Sequence, residues 1–139
     1  MTDIEKAKSL LRTEGLTCAA CCGEVVYTST DRGVAPLLRW LDEGACLHGF
    51  SVADKVVGAG AAYLYVLLGA AELYAEVISE AAVKILTRFG VLVTFGTGVA
   101  YIKNRTGDGG CPIEQAVADA AGPQDALVRI RKRLAELRT

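Results

Sequence analysis

The run VVGAGAAYLYVLLGAA, residues 56–71, limits more than any other stretch what this chain can fold into. It carries no charge, so a folded chain has to keep nearly all of it away from water. A membrane-spanning helix needs roughly 18 to 20 apolar residues. This run is shorter and is diluted by glycines at 58, 60 and 69, so it reads as a buried helix rather than a span. Starting upstream, SVADKVVGAGAAYLYVLLGAA reads as one central helix, with Ser51 available as its cap and almost no polar residue past Lys55. Everything else must be arranged to cover it.

The flanking segments supply that cover. DIEKAKSLLRTEG puts Ile4, Ala7, Leu10 and Leu11 on one helical face and ends in a glycine. LTCAACCGEVVYTST has two β-prone runs around Cys22-Gly23, the pattern of a tight hairpin. GVAPLLRWLDEGA follows as a short helix, with Pro36 near its first turn. Beyond the central run, ELYAEVIS reads as a strand, Ser79 as the cap of EAAVKILTRFG, and VLVTFG as the next strand. Strand, helix and strand in succession imply a right-handed crossover and parallel pairing. VAYIKN is a further strand candidate, followed by a glycine loop, a helix from Pro112 to Ala121, the break GPQ and a terminal helix.

A chain of 139 residues fits one domain, residues 1–139, large enough to need no disulfide or metal for stability. A hairpin followed by alternating helices and strands specifies an α/β fold: one mixed central sheet covered by helices on both faces, a three-layer α/β/α sandwich. Lys and Arg number 15 against 16 Asp and Glu, which leaves no positive field for nucleic acid. The one basic concentration, Arg129–Arg133, alternates with Leu127, Ile130, Leu134 and Leu137 and reads as the wet face of the last helix. The opening MTDIEKAKSLL has no apolar core of signal-peptide length, and five cysteines are an odd number, so free thiols in a reducing cytosol are expected.

Several stretches could carry chemistry. In the one-helix reading, Ser51, Asp54 and Lys55 open the central helix, where free N–H groups suit an anion; they would equally serve as cap, dipole partner and surface. In NRTGDGGCPIE, Pro112 as the first helical residue places Cys111 at the N-cap with Glu114 just inside. A thiol is a poor cap, and the helix end favours its thiolate, so Cys111 is a candidate nucleophile; the alternative is a small buried cysteine. Gly107, Gly109 and Gly110 would allow close backbone approach or an anion-binding nest, with Asn104 and Arg105 as polar contacts. Nothing in the sequence shows whether His48, the single histidine, or Lys55 could act as a base. Cys18-x-x-Cys21 and Cys46-x-His48 suggest a metal, but Cys18 and Cys21 would point to opposite faces of a strand. Cys18 then fills core, with Cys21 and Cys22 at the hairpin turn. No metal and no cofactor are expected. Tyr63, Tyr65 and Tyr74 read as core or subunit-contact residues, and a homo-oligomer is an expectation of the same surfaces.

The segments STDRGVAPLLRWLDEG, GFSVADKVVGAGAAYLYVLLG, YAEVISEAAVKILTRFG and NRTGDGGCPIEQAV together resemble the domain-of-unknown-function family 1893, small prokaryotic proteins with a cytidine-deaminase-like fold. The resemblance covers Leu16 to the terminal helix and implies that fold; it brings no established activity. Zinc deaminases need a His or Cys followed two residues on by Glu at one helix start and Pro-Cys-x-x-Cys at the next. By the order of elements these fall near SVADK and ISEAAV, where Asp54, Lys55, Ser79, Glu80, Ala81 and Ala82 stand instead. Without metal nothing lowers the pKa of a water toward neutrality, so zinc-dependent deamination is not expected. The expectation is a nucleotide- or nucleoside-like small molecule held by Ser51, Ser79, Glu80, Asn104, Arg105, Gly107, Gly109, Gly110 and Glu114. The alternatives are a metal-independent enzyme using Cys111 with Asp54 or Lys55, and a partner-binding module without a ligand.

Overall fold

A computed structural model describes residues 1–13, 15–104 and 106–138. In chain order they form α1 (Asp3–Leu11), β1 (Cys18–Cys22), β2 (Val25–Ser29), α2 (Ala35–Asp42), β3 (Ser51–Val57), α3 (Ala59–Leu68), β4 (Glu72–Ser79), α4 (Glu80–Arg88), β5 (Leu92–Val99), α5 (Pro112–Val117) and α6 (Pro123–Leu137). The sheet runs β2-β1-β3-β4-β5. The first three strands pair antiparallel, and β3, β4 and β5 pair parallel. The mixed sheet and the β4–α4–β5 crossover are those expected from the sequence; the β3–α3–β4 crossover is not, since its first strand lies in the segment read as one helix.

Two cores hold the layers together. On one face Ala7 and Leu11 of α1 bury Cys21 and Ala53. On the other, α2, α3 and α4 cover the sheet through Leu37, Trp40, Leu64, Tyr65 and Leu86, and α6 adds Ile130. Cys18 and Cys21, three apart on one strand, serve opposite faces, as the period of two requires. Cys21 is therefore not a turn residue: it is a fully buried strand residue beneath α1. The turn belongs to Gly23, whose φ of 59° is the left-handed value that favours glycine.

The central apolar run differs most from the one-helix reading. Ser51–Val57 is strand β3, and the helix begins only at Ala59. Val52, Val56 and Val57 are β-branched and fit a pleated, buried strand, whereas the Ala- and Leu-rich remainder favours a helix. Gly58 lies between them in extended backbone, without a side chain to cap α3. Gly69 ends α3 with φ 88°, packed so closely that a Cβ there would lie 3.4 Å from the His48 backbone. Two smaller differences follow: VAYIKN is no strand, β5 ending at Val99 with Lys103 in only an isolated bridge, and α5 stops at Val117.

The row Lys55, Glu76 and Gly96 interrupts both parallel ladders. Ala75 and Ile78 serve the same core, a step of three where a regular strand needs an even one. Asp54, bonded to Tyr65 of that core, and Val57 repeat the step in β3. The irregular step leaves Val56 and Val77 outside that core.

Candidate functional site

The carboxyl ends of β3, β4 and β5 lie along one edge of the sheet, where α3 and α4 begin. In parallel sheets this is the edge that binds ligands. At the start of α3 the backbone N–H groups of Ala59 and Gly60 donate to Glu114, at 2.5 Å to Oε1 and 2.9 Å to Oε2. These are orphan donors of a helix start, and a carboxylate there also meets the positive end of the helix dipole. The glycines make this approach possible: a Cβ on Gly58 would run into the Glu114 carboxyl group, and one on Gly60 would lie 2.7 Å from Ile113 Cγ2. The anion-suited start of the central helix, read from the sequence at Ser51–Lys55, thus lies at Ala59 and Gly60 and carries the chain's own Glu114 carboxylate.

Glu114 is delivered by α5, whose N-cap is Cys111 and whose first residue is Pro112, as read from the sequence. The half-buried thiol makes no capping hydrogen bond. Upstream, the Cys111 N–H donates to Ile102 O at 3.0 Å, and Lys103 bridges to Gly110, which closes the loop between them. Gly107 turns that loop with φ 76°. Inside it the Thr106 hydroxyl donates to Asp108 Oδ1 at 2.5 Å, and Asn104 Nδ2 donates to the same oxygen at 3.0 Å. Hydrogen bonds from Thr106 and Asn104 hold the Asp108 carboxyl below its usual range. Asn104 is therefore engaged in closing the loop, with Gly107, Gly109 and Gly110 along its backbone. Arg105 lies outside the described residues.

Asp54 sits mid-strand, 7% exposed, opposite Cys18 in the β1–β3 ladder. The Tyr65 hydroxyl of α3 donates to Asp54 Oδ2 at 2.5 Å, and the Val56 N–H donates to Oδ1 at 3.3 Å. Burial pushes the Asp54 carboxyl up to about 7, against the opposing effect of the Tyr65 hydrogen bond. Burial raises the Cys18 thiol to about 12, with the nearby Asp54 adding to it. The Tyr65 hydroxyl is raised well above its ordinary value by burial and then by Asp54. Neither Tyr65 nor Cys18 stood out in the sequence as a partner of Asp54. The available signal was an aspartate in a run too apolar to leave a carboxyl unpaired.

The remaining candidates spread along the sheet. Ser51 starts β3 and donates from Oγ to Glu72 at 3.4 Å, at the end opposite α3 and roughly 20 Å of strand away. It caps no helix, and neither Asp54 nor Lys55 opens one; Lys55 is exposed on β3. Ser79 does cap α4, accepting from the Ala82 N–H at 3.2 Å, and Glu80 beside it is exposed. With α3 starting at Ala59, the first helix start comprises Gly58, Ala59, Gly60 and Ala61, which carry no ligating side chain. Among the described residues no group of three His, Cys, Asp or Glu is placed to hold a metal. A groove of about 360 Å³ lies between Val56, Val77 and the strap formed by residues 99–103, with Lys103 as the one charged residue among the described residues that line it.

A family model described as a domain of unknown function, DUF1893, matches residues 6–134. The chain belongs to this family. The DUF1893 protein TM1506 from Thermotoga maritima, solved as a crystal structure, aligns with this domain at a TM-score of 0.85 and 25% identity. The alignment covers 96% of this chain and 89% of that one. A dCMP deaminase from the cyanophage S-TIM5, in apo form, is a distant neighbour: TM-score 0.44, 9% identity, 70% of this chain and 94% of that one. Among curated proteins nothing matches significantly. Within the described residues of this DUF1893 domain no helix is long and apolar enough to cross a membrane.

Proposed function

We propose that this DUF1893 domain binds a small molecule that combines a flat or apolar face with an anionic group, a nucleoside monophosphate being the nucleotide-like example. The observation that carries the reading is the groove of about 360 Å³ beneath residues 99–103, apolar in its walls and bordered by Lys103. Its volume falls within the roughly 300–1,000 Å³ of small-molecule sites. Its place by the carboxyl end of parallel strands is the usual one for such ligands. Tyr101 is 56% exposed at the groove and offers a ring to stack on. Lys103 supplies charge for the anion, and the glycine loop begins at the next residue. What supports this over an enzyme built on Cys111 with Asp54 or Lys55 is that the Asp54 carboxylate is buried and engaged by the Tyr65 hydroxyl, and Lys55 stands exposed mid-strand rather than at a helix start.

Calorimetric titration with nucleoside monophosphates and the matching nucleosides tests the reading. The monophosphates should bind saturably and more tightly than the nucleosides. Lys103→Glu should erase that preference, and Tyr101→Ala should weaken both series about tenfold, or about 1.4 kcal/mol. Absence of saturable binding by either series, or affinities unchanged in both variants, would refute it.

A further inference from the structure

We infer that the β5 edge docks a second copy of this chain, pairing β5 with β5 antiparallel about a two-fold axis near Phe95 and continuing the sheet across the dimer. Among the described residues β5, LVTFGTGV, ends the sheet and pairs with β4 alone, in register at seven of its eight residues with Gly96 left out. Natural edge strands are guarded by charge, proline, bulges or shortness. This one has no charge and no proline, and Leu92 and Phe95 are 68% and 46% exposed. The opposite edge, β2, is shorter, at five residues.

The helix beside the edge makes a second copy the fitting occupant. α4 packs over β4 and β5. Ile78, Glu80, Val83, Lys84, Phe95 and Gly98 line one shallow groove, which sets Glu80 by the Gly98 end of β5 and Lys84 by Phe95. Arg88, two turns on, then falls by the Leu92 end. A two-fold axis perpendicular to the sheet keeps both α4 helices on one face and runs them antiparallel. Their separation is about two strand spacings, roughly 10 Å, which is helix-packing distance. Centred near Lys84, this arrangement sets Glu80 of each copy against Arg88 of the other, twice over. Among the described residues neither Glu80 nor Arg88 forms a salt bridge within its own chain. Lys84 meets its own copy at the axis, the one unfavourable pair, while Phe95 of the partner closes the groove.

Sedimentation velocity over a concentration series, on the full chain and on variants with unchanged circular dichroism, tests the docking. The wild type should show a monomer–dimer equilibrium. Arg88→Glu, which opposes like charges at two places, should weaken it about tenfold or more. Adding Glu80→Arg to that chain should restore it, and Thr97→Lys on the edge should leave only monomer. A wild type monomeric at every concentration overturns the inference, as does a dimer indifferent to both Arg88→Glu and Thr97→Lys.

Discussion

Replacing Glu114 by alanine removes the side chain that, among the described residues, satisfies the first two donors of α3. The wild-type carboxylate accepts two backbone N–H groups, at 2.5 and 2.9 Å, from a half-buried position 55 and 54 residues away in sequence. A hydrogen bond to a charged group contributes about 1.5–3 kcal/mol, and an anion at a helix N-terminus about 0.3–1 kcal/mol. The two bonds share one side chain, so Glu114→Ala should cost about 3 kcal/mol rather than the full sum. At about 4 °C per kcal/mol for a domain of this length, that is a fall of about 12 °C in Tm. Glu114→Gln keeps an acceptor and loses the charge, and should fall about a third as far. Gly58→Ala is the discriminating partner. Its backbone is extended, with φ −100°, so alanine adds no strain there. Its Cβ would instead drive the Glu114 carboxyl away. Gly58→Ala alone should therefore reproduce much of the Glu114→Ala loss, and the double variant should be little worse than the single ones. The assay is thermal unfolding by circular dichroism over the wild type and these four variants. Fully additive losses, or a Glu114→Ala shift below about 2 °C, would refute the reasoning.

Two further outcomes follow from the same geometry. Asp54 is raised from 3.8 to about 7 in the fold, so between those values the folded chain holds a proton that the unfolded chain releases. Stability should fall as pH rises from about 4 to about 7 and then level off, and Asp54→Asn should flatten that slope and raise stability at pH 8; denaturant titration across pH measures it. Because the Cys111 thiol caps nothing, Cys111→Ser should add a capping bond and raise stability by about 0.5–1 kcal/mol. A decrease in Tm would show instead that packing of the sulfur matters more than the cap.

The features legible in the sequence were those set by near neighbours. Pro112 announced the start of α5 and Cys111 as its N-cap; Ser79 announced α4; the period of two separated Cys18 from Cys21. The segment from Ser51 to Ala71 failed for a physical reason. Where both sides of an element are buried, no polar face marks its period, and a strand followed by a helix reads like one long helix. Gly58, which divides them, looked like one of several glycines in an alanine-rich run. The partners of the site were illegible because they are distant in sequence. Glu114 was visible as a first-turn acid of its own helix, yet the charge it answers lies at the start of α3. Asp54 was visible as a polar residue in an apolar run, but Tyr65 lies one element later, and only the packing of α3 on β3 brings the two together.

The measurement that most directly tests ligand binding at the strap is a ¹H–¹⁵N correlation spectrum of the labelled protein, recorded with and without a nucleoside monophosphate. Binding as proposed should move the amides of Val56, Val77 and residues 99–103 together along one saturation curve, leaving α1 and β2 in place. A spectrum unmoved at saturating ligand, or shifts confined to residues remote from that groove, would contradict it.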